Sequence, residues 1–423
     1  MKRLLGTNEH FLWLRDQRWS VNFTMTTRIQ GLITVQQLTD ALTWLQHRHP
    51  LLQVKIELNQ KQKPQFVSGE VPSIPLRILE RKGDNHWSEE VATEIVSPFD
   101  CTQGPLFRVV FLQGEDISEL IFTCHHSIGD ALSVVYLIQD VLQELGNPGC
   151  DRQIFPQIPP LEELISWINR DVEKDSTVNH SSSTSLIAPS SSNQELNRCN
   201  WRPCILHWEL SEEETDRLIS NCRQQKVSVH GAICAAFLLA IAEAEDLSPS
   251  TMLKCLSPLN VRNFLVPNIG SDMGVYIALP VTAHKLAPQT DFWELAKDVK
   301  SQLQETVSEG QLFASIPQLQ SWLSTRPNPE AVYQQLLKKG LHLAVSNLGR
   351  LHIPNSFGHL TVEAIYGPTL LGLENVRVIS IATLARKMFC TFTYLESVIP
   401  QVVAEKTKTR AMQLILNAIA QPS

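Results

Sequence analysis

IFTCHHSIGDALSVV, residues 121–135, is the stretch from which the rest of the chain is read. An apolar run ends in two adjacent histidines, His125 and His126. A turn carrying Gly129 follows, and Asp130 opens a segment with helical apolar spacing at Val134, Val135, Ile138, Val141, Leu142 and Leu145. In an extended strand neighbouring side chains point to opposite faces. The two imidazoles are therefore not expected to share a site or a metal; one packs and the other is free to face a cavity.

Working outward, the first half reads as strands and capped helices. Phe23, Met25, Thr27 and Ile29 alternate as one face of a strand. Thr34 with Gln37 forms a capping box ahead of a helix whose buried stripe is Leu38, Ala41, Leu42 and Leu45, and Pro50 ends it. Strands are expected at 51–58, 75–80, 106–113 and 118–125, with a short helix near 87–96. The second half repeats this style. A strand at 204–210 precedes a capping box at Ser211 and Glu214, and Ser228 caps a helix, HGAICAAFLLAIAEA, that is apolar nearly all round and hence buried. Strands are expected near 253–258, 273–283, 341–346, 359–366, 376–383 and 388–395. A helix with Phe292, Leu295, Ala296, Val299 and Leu303 on one face lies among them, and an amphipathic helix closes the chain. Between the halves, residues 173–200 are rich in Ser and Asn and lose apolar periodicity. The expected organisation is 1–172, a linker at 173–200, and 201–423.

Bulk properties exclude several function classes. The 423 residues are 43% hydrophobic and 19% charged, which sets disorder aside. A net charge of −7 without a dense Lys/Arg stripe argues against nucleic acid as a partner. The 9 Cys are scattered without C-x-x-C spacing, so buried or free thiols in a reducing compartment are expected rather than disulfides or structural zinc. Glu9, Arg15 and Asp16 interrupt the N-terminal apolar residues, so no secretory signal is read there. No apolar run approaches the roughly 18 residues of a membrane span. A cytoplasmic location is expected. There is no G-x-S-x-G for a serine hydrolase, and neither phosphate-binding glycine pattern for a nucleotide enzyme.

The spacing His125-His126-Ser127-Ile128-Gly129-Asp130-Ala131 resembles the H-H-x-x-x-D-G signature of the condensation-domain superfamily, with Ala in place of the final Gly. Four further segments resemble that family in order. They are LTDALTWLQHRHPLLQVKIE (38–57), PFDCTQGPLFRVVFL (98–112), SPLNVR (257–262) for P-x-x-x-R, and HLAVSNLGRL (342–351) for the S-N-x-G of stand-alone, polyketide-associated acyltransferases. The D-F-G-W-G segment of the plant acyltransferase branch is absent. The resemblance implies an α+β fold of two chloramphenicol-acetyltransferase-like halves, each a mixed sheet with packed helices, arranged as a pseudo-dimer around a central tunnel.

It also implies a chemistry. An acyl group would pass from a CoA or carrier-protein thioester to a hydroxyl or amine, giving an ester or amide without an acyl-enzyme. No bound cofactor is implied; acyl-CoA or an acyl-phosphopantetheine carrier protein acting in trans would be the co-substrate. His126 would be the general base, since a neutral imidazole with a pKa near 6.5 suits proton removal from the acceptor; the plainer reading is a core histidine. His125 would be structural. Asp130 would either cap the following helix or pair with Arg262 to fix the loop. Ser346, Asn347 and the Gly129 N–H are candidates for steadying the oxyanion, although Asn and Gly also favour plain turns. Gly270, Asp272, Gly274 and Tyr276 would be structural. The rival function is a non-catalytic condensation-like module that recruits a partner enzyme or carrier protein, which Ala131 keeps open. A monomer is expected.

Overall fold

The strand Asn22–Gln30 carries the predicted alternation, yet both of its faces are buried, because layers of structure cover the sheet on either side. It is central to a six-stranded sheet in the order Ser356–Phe357, Leu360–Leu370, Asn22–Gln30, Ile117–His125, Phe107–Gln113 and Leu76–Glu80. All neighbours run antiparallel except Leu76–Glu80, which is parallel to Phe107–Gln113. The computed structural model describes residues 2–150, 153–165, 201–248, 251–287, 289–307 and 309–420. The expected linker at 173–200 lies outside the described residues.

Helices Val35–Arg48 and Ala131–Gly146 pack on this sheet and share its core with Phe23, Met25, Phe107 and Phe122. The Thr34–Gln37 capping box forms as read. The second sheet also has six strands, ordered Val281–Lys285, Met252–Leu256, Leu343–Arg350, Arg377–Leu384, Lys387–Leu395 and Pro203–Leu210. Leu343–Arg350 is parallel to both neighbours, so each sheet is mixed. Helix Val229–Ala244 is buried between Phe292–Thr306 and Gln401–Ala420, which explains a sequence with no polar face. The α+β class with two mixed sheets stands as read.

Several elements depart from the sequence reading. Residues 50–53 form a 3-10 turn before strand Val54–Leu58, because Pro50 lacks the N–H of a ladder. The strand expected at 273–283 is two short ones, Ile277–Ala278 and Val281–Lys285, separated by Leu279 and Pro280. Helices Thr7–Asp16, Ser315–Ser324 and Pro329–Leu337 were not anticipated. Most consequential, Leu360–Leu370 belongs by sequence to the second half but pairs with Asn22–Gln30 of the first. Among the described residues no single helix is long and apolar enough to cross a membrane.

Candidate active site

His125 is the last residue of strand Ile117–His125, and its backbone is held in register with Asn22. Its ring is fully buried. Nδ1 meets Ser127 Oγ at 2.7 Å, and Nε2 faces Asp16 Oδ2 at 3.6 Å. Burial opposes a charge on this ring, but Asp16 and the Cys101 sulfur outweigh it, so its pKa is lifted to about 10. His125 thus sits between the strand and helix Thr7–Asp16, where the Asp16 carboxylate favours its charged form.

His126 has left the strand and is the first residue of the turn. The two rings do diverge, through this break in the strand as well as through alternation. His126 lines a cavity of about 270 Å³ to which both halves contribute. Phe23 backs the ring, with centroids 4.8 Å apart. Nδ1 lies 3.0 Å from the Gly129 carbonyl oxygen. A carbonyl can only accept, so Nδ1 carries the proton and Nε2 keeps its lone pair. Burial pulls the His126 pKa down to about 4 against a smaller opposing pull from Asp130, leaving the ring neutral in neutral solution.

Asp130 performs both of the roles that were weighed as alternatives, because a carboxylate has two oxygens with four lone-pair sites. Oδ1 accepts the Ser133 N–H at 2.9 Å, capping helix Ala131–Gly146. The same carboxylate takes a two-pronged pair from Arg262, at 2.8 Å from Nη1 and 2.9 Å from Nη2. Its second oxygen also receives the Tyr276 N–H at 3.0 Å. Burial alone would raise the Asp130 pKa, but Arg262 and these donors lower it. Gly274 completes the clamp: its carbonyl accepts from the Asp130 N–H and from Ser133 Oγ, and its own N–H reaches Ser133 Oγ. A Cβ at Gly274 would meet the Tyr276 ring at 2.4 Å, so the loop needs glycine there. Gly270 takes a positive φ of 54°. Asp272 keeps a buried, unpartnered Oδ1, and burial raises its pKa to about 6.

Ser346 and Asn347 lie on strand Leu343–Arg350 and line the same cavity as His126. Asn347 Oδ1 accepts the Gly349 N–H at 2.8 Å, which leaves the Nδ2 donors for another partner. Gly349 adopts a positive φ of 66°, and the register with Arg377–Leu384 shifts here. The segment is therefore an irregular part of a strand, not a plain turn. Ser346 supplies the one hydroxyl among the described cavity-lining side chains. Gly129 sits beneath the loop, and a Cβ there would come within 3.1 Å of Met273 Cε. Its carbonyl is committed to orienting His126.

The sequence of residues 202–390 matches the family model described as the phthiocerol/phthiodiolone dimycocerosyl transferase C-terminus. The phthiocerol/phthiodiolone dimycocerosyl transferase of Mycobacterium ulcerans is 20% identical over 311 residues, covering 70% of this chain and 72% of that protein. Matches to peptide synthases of Bacillus subtilis and Brevibacillus parabrevis span only 4%, 5% and 2% of those much longer proteins. Among solved structures, the first condensation domain of the calcium-dependent antibiotic synthetase superposes with a TM-score of 0.69 at 12% identity, covering 100% of this chain and 97% of that one. The chain has the condensation-domain fold. The trichothecene 15-O-acetyltransferase TRI3 of Fusarium sporotrichioides shares the fold as well, with a TM-score of 0.70 at 13% identity over 99% of this chain and 95% of that one.

Against this condensation-domain frame, the structure gathers His126, Asp130, Arg262, Ser346 and Asn347 around one cavity and places His125 behind it. Two cavity-lining cations were missed, Arg15 on helix Thr7–Asp16 and Lys339 just after helix Pro329–Leu337. They are 324 positions apart in sequence, and no local pattern marks either.

Proposed function

We propose that this chain is an acyltransferase that moves an acyl group from a CoA or carrier-protein thioester to a hydroxyl or amine, with His126 as general base. The observation that carries the reading is the fixed tautomer of His126. Its Nδ1–H is spent on the Gly129 carbonyl, and the basic Nε2 belongs to a ring that lines the cavity. Such a base takes the acceptor's proton as the new bond forms, a contribution of about 10²–10⁴ in rate. Negative charge then gathers on the thioester oxygen. Asn347 Nδ2, Ser346 Oγ and the Gly129 N–H are the donors proposed to meet it.

No acyl-enzyme is needed in this scheme. Ser346 makes no hydrogen bond to His126 among the described residues, so the pair lacks the contact of an activated nucleophile. The dimycocerosyl transferase and the O-acetyltransferase support transfer to an acceptor by their named activities. A recruiting module would not require a base with a directed lone pair, and the cavity weighs against it. The deciding measurement is mass spectrometry of products after acyl thioesters are offered with a panel of alcohols and amines. Ester or amide formed by the wild type and lost in His126→Ala supports the proposal. Turnover retained in that variant removes His126 from the chemistry, and no product from any pairing favours the recruiter.

A further inference from the structure

The charges inside the cavity do not balance. Its wall is mostly aliphatic, with Leu12, Ile277, Leu348, Leu371 and Val378 among the contributors. Apart from His126, the charged lining groups are Arg15, Asp130, Arg262 and Lys339. Asp130 and Arg262 neutralise one another as a buried pair. Arg15 and Lys339 form no salt bridge among the described residues, and Arg15 Nε is buried without an acceptor. Among the described residues, the one hydrogen bond from the Arg15 guanidinium is a long one, Nη2 to the Leu371 carbonyl at 3.4 Å. Two cations thus face an apolar space in a chain whose overall charge is −7.

Burial lowers the Arg15 pKa to about 10, so the guanidinium stays charged in neutral solution. Leaving such a group dehydrated and unpaired is costly, and an incoming anion relieves that cost.

We propose that one substrate of this site presents a carboxylate within a few bonds of its reacting atom, and that Arg15, aided by Lys339, reads it. This rests on the acyltransferase assignment and narrows its substrate class to acidic amphiphiles. Proximity excludes the obvious other anions. Arg15 and His126 line the same cavity. The phosphates of a CoA or carrier thioester sit a full pantetheine arm away from the sulfur. A planar guanidinium also matches the two oxygens of a carboxylate. The aliphatic wall would hold the remaining chain.

Direct binding tests this without turnover. Two matched pairs are titrated by calorimetry into the wild-type protein. The acceptor pair is 3-hydroxydecanoate and its methyl ester; the donor pair is succinyl-pantetheine and butyryl-pantetheine, neither of which carries a phosphate. The acid of at least one pair should bind about tenfold to a hundredfold more tightly than its neutral partner, the range of a charge-assisted hydrogen bond. That ratio should collapse in Arg15→Met and shrink in Lys339→Gln, an exposed position where folding is not at stake. Equal or weaker binding of both acids by the wild type overturns the inference, whatever the variants do. A preference that survives Arg15→Met removes Arg15 from it. The acyltransferase assignment stands or falls separately on product formation: acid preference without product sinks only that assignment, and product from neutral partners without acid preference sinks only this inference.

Discussion

Asp130 and Arg262, 132 residues apart in sequence, meet through both carboxylate oxygens and both terminal guanidinium nitrogens, with 2% and 5% of their side chains exposed. The pair fastens the loop that presents His126 to the other half of the molecule. Tyr276 stacks against the guanidinium, with its ring centroid 4.9 Å from Arg262 Cζ. The loop's position is therefore a property of the whole fold.

Breaking this pair should be felt in stability and rate together. Asp130→Asn or Arg262→Met leaves a buried partner uncompensated, a loss of about 3–5 kcal/mol. Chemical denaturation should show the drop, and turnover should fall with it. A variant with wild-type stability and reduced rate alone would contradict a clamping role.

His126→Ala should behave oppositely. The ring is only half-buried, and its polar bond is to the neighbouring Gly129 carbonyl. Turnover should fall about 10²–10⁴-fold, while the thermal midpoint stays close to that of the wild type. Parallel activity assays and melts check this.

The acid side separates chemistry from folding. With its pKa lowered to about 4, His126 remains a free base well below neutrality, so turnover should hold until the pH nears 4. Stability should decline sooner. His10 and His230 are likewise lowered to about 4 by burial. Between about 6.5 and 4 the unfolded chain binds protons that the native state refuses, so stability is lost as pH falls. Melting points across this window should slope downward while initial rates stay level; a rate falling with a midpoint near 6.5 would show that the His126 pKa is unperturbed.

His125 has the opposite sign. Its pKa is raised to about 10, so the native state holds a proton that the unfolded chain releases near 6.5. The stabilisation is complete below 6.5 and is lost as pH rises through 10. Asp16→Asn removes the charge that holds this proton. It should melt well below the wild type at pH 6, and the gap should close as pH approaches 10.

Much of this architecture is legible in the sequence, for reasons that can be named. Capping boxes at Thr34 and Ser211 are local chemistry, and the all-apolar helix at 229–244 can only be a core element. The His126 loop and its Arg262 partner were read through resemblance, since nothing near either residue points to the other. Helix Thr7–Asp16 escaped because Gly6 precedes it in place of a side-chain cap and its apolar stripe is weak, and its Asp16 and Arg15 gain meaning only against His125 and the cavity. The two roles open to Asp130, helix cap and partner of Arg262, are compatible because its carboxylate has lone pairs enough for both. The placement of Leu360–Leu370 was beyond reach, because strand periodicity reports exposure and not which sheet a strand joins.

That misplaced strand makes the two halves inseparable. Without Leu360–Leu370, Asn22–Gln30 would be an open edge in the middle of the chain's first layer, greedy for any extended peptide. A gene cut in two after residue 200 would yield a first product that aggregates alone and a second with an orphaned ribbon. Expressed side by side, the pieces should find one another and copurify.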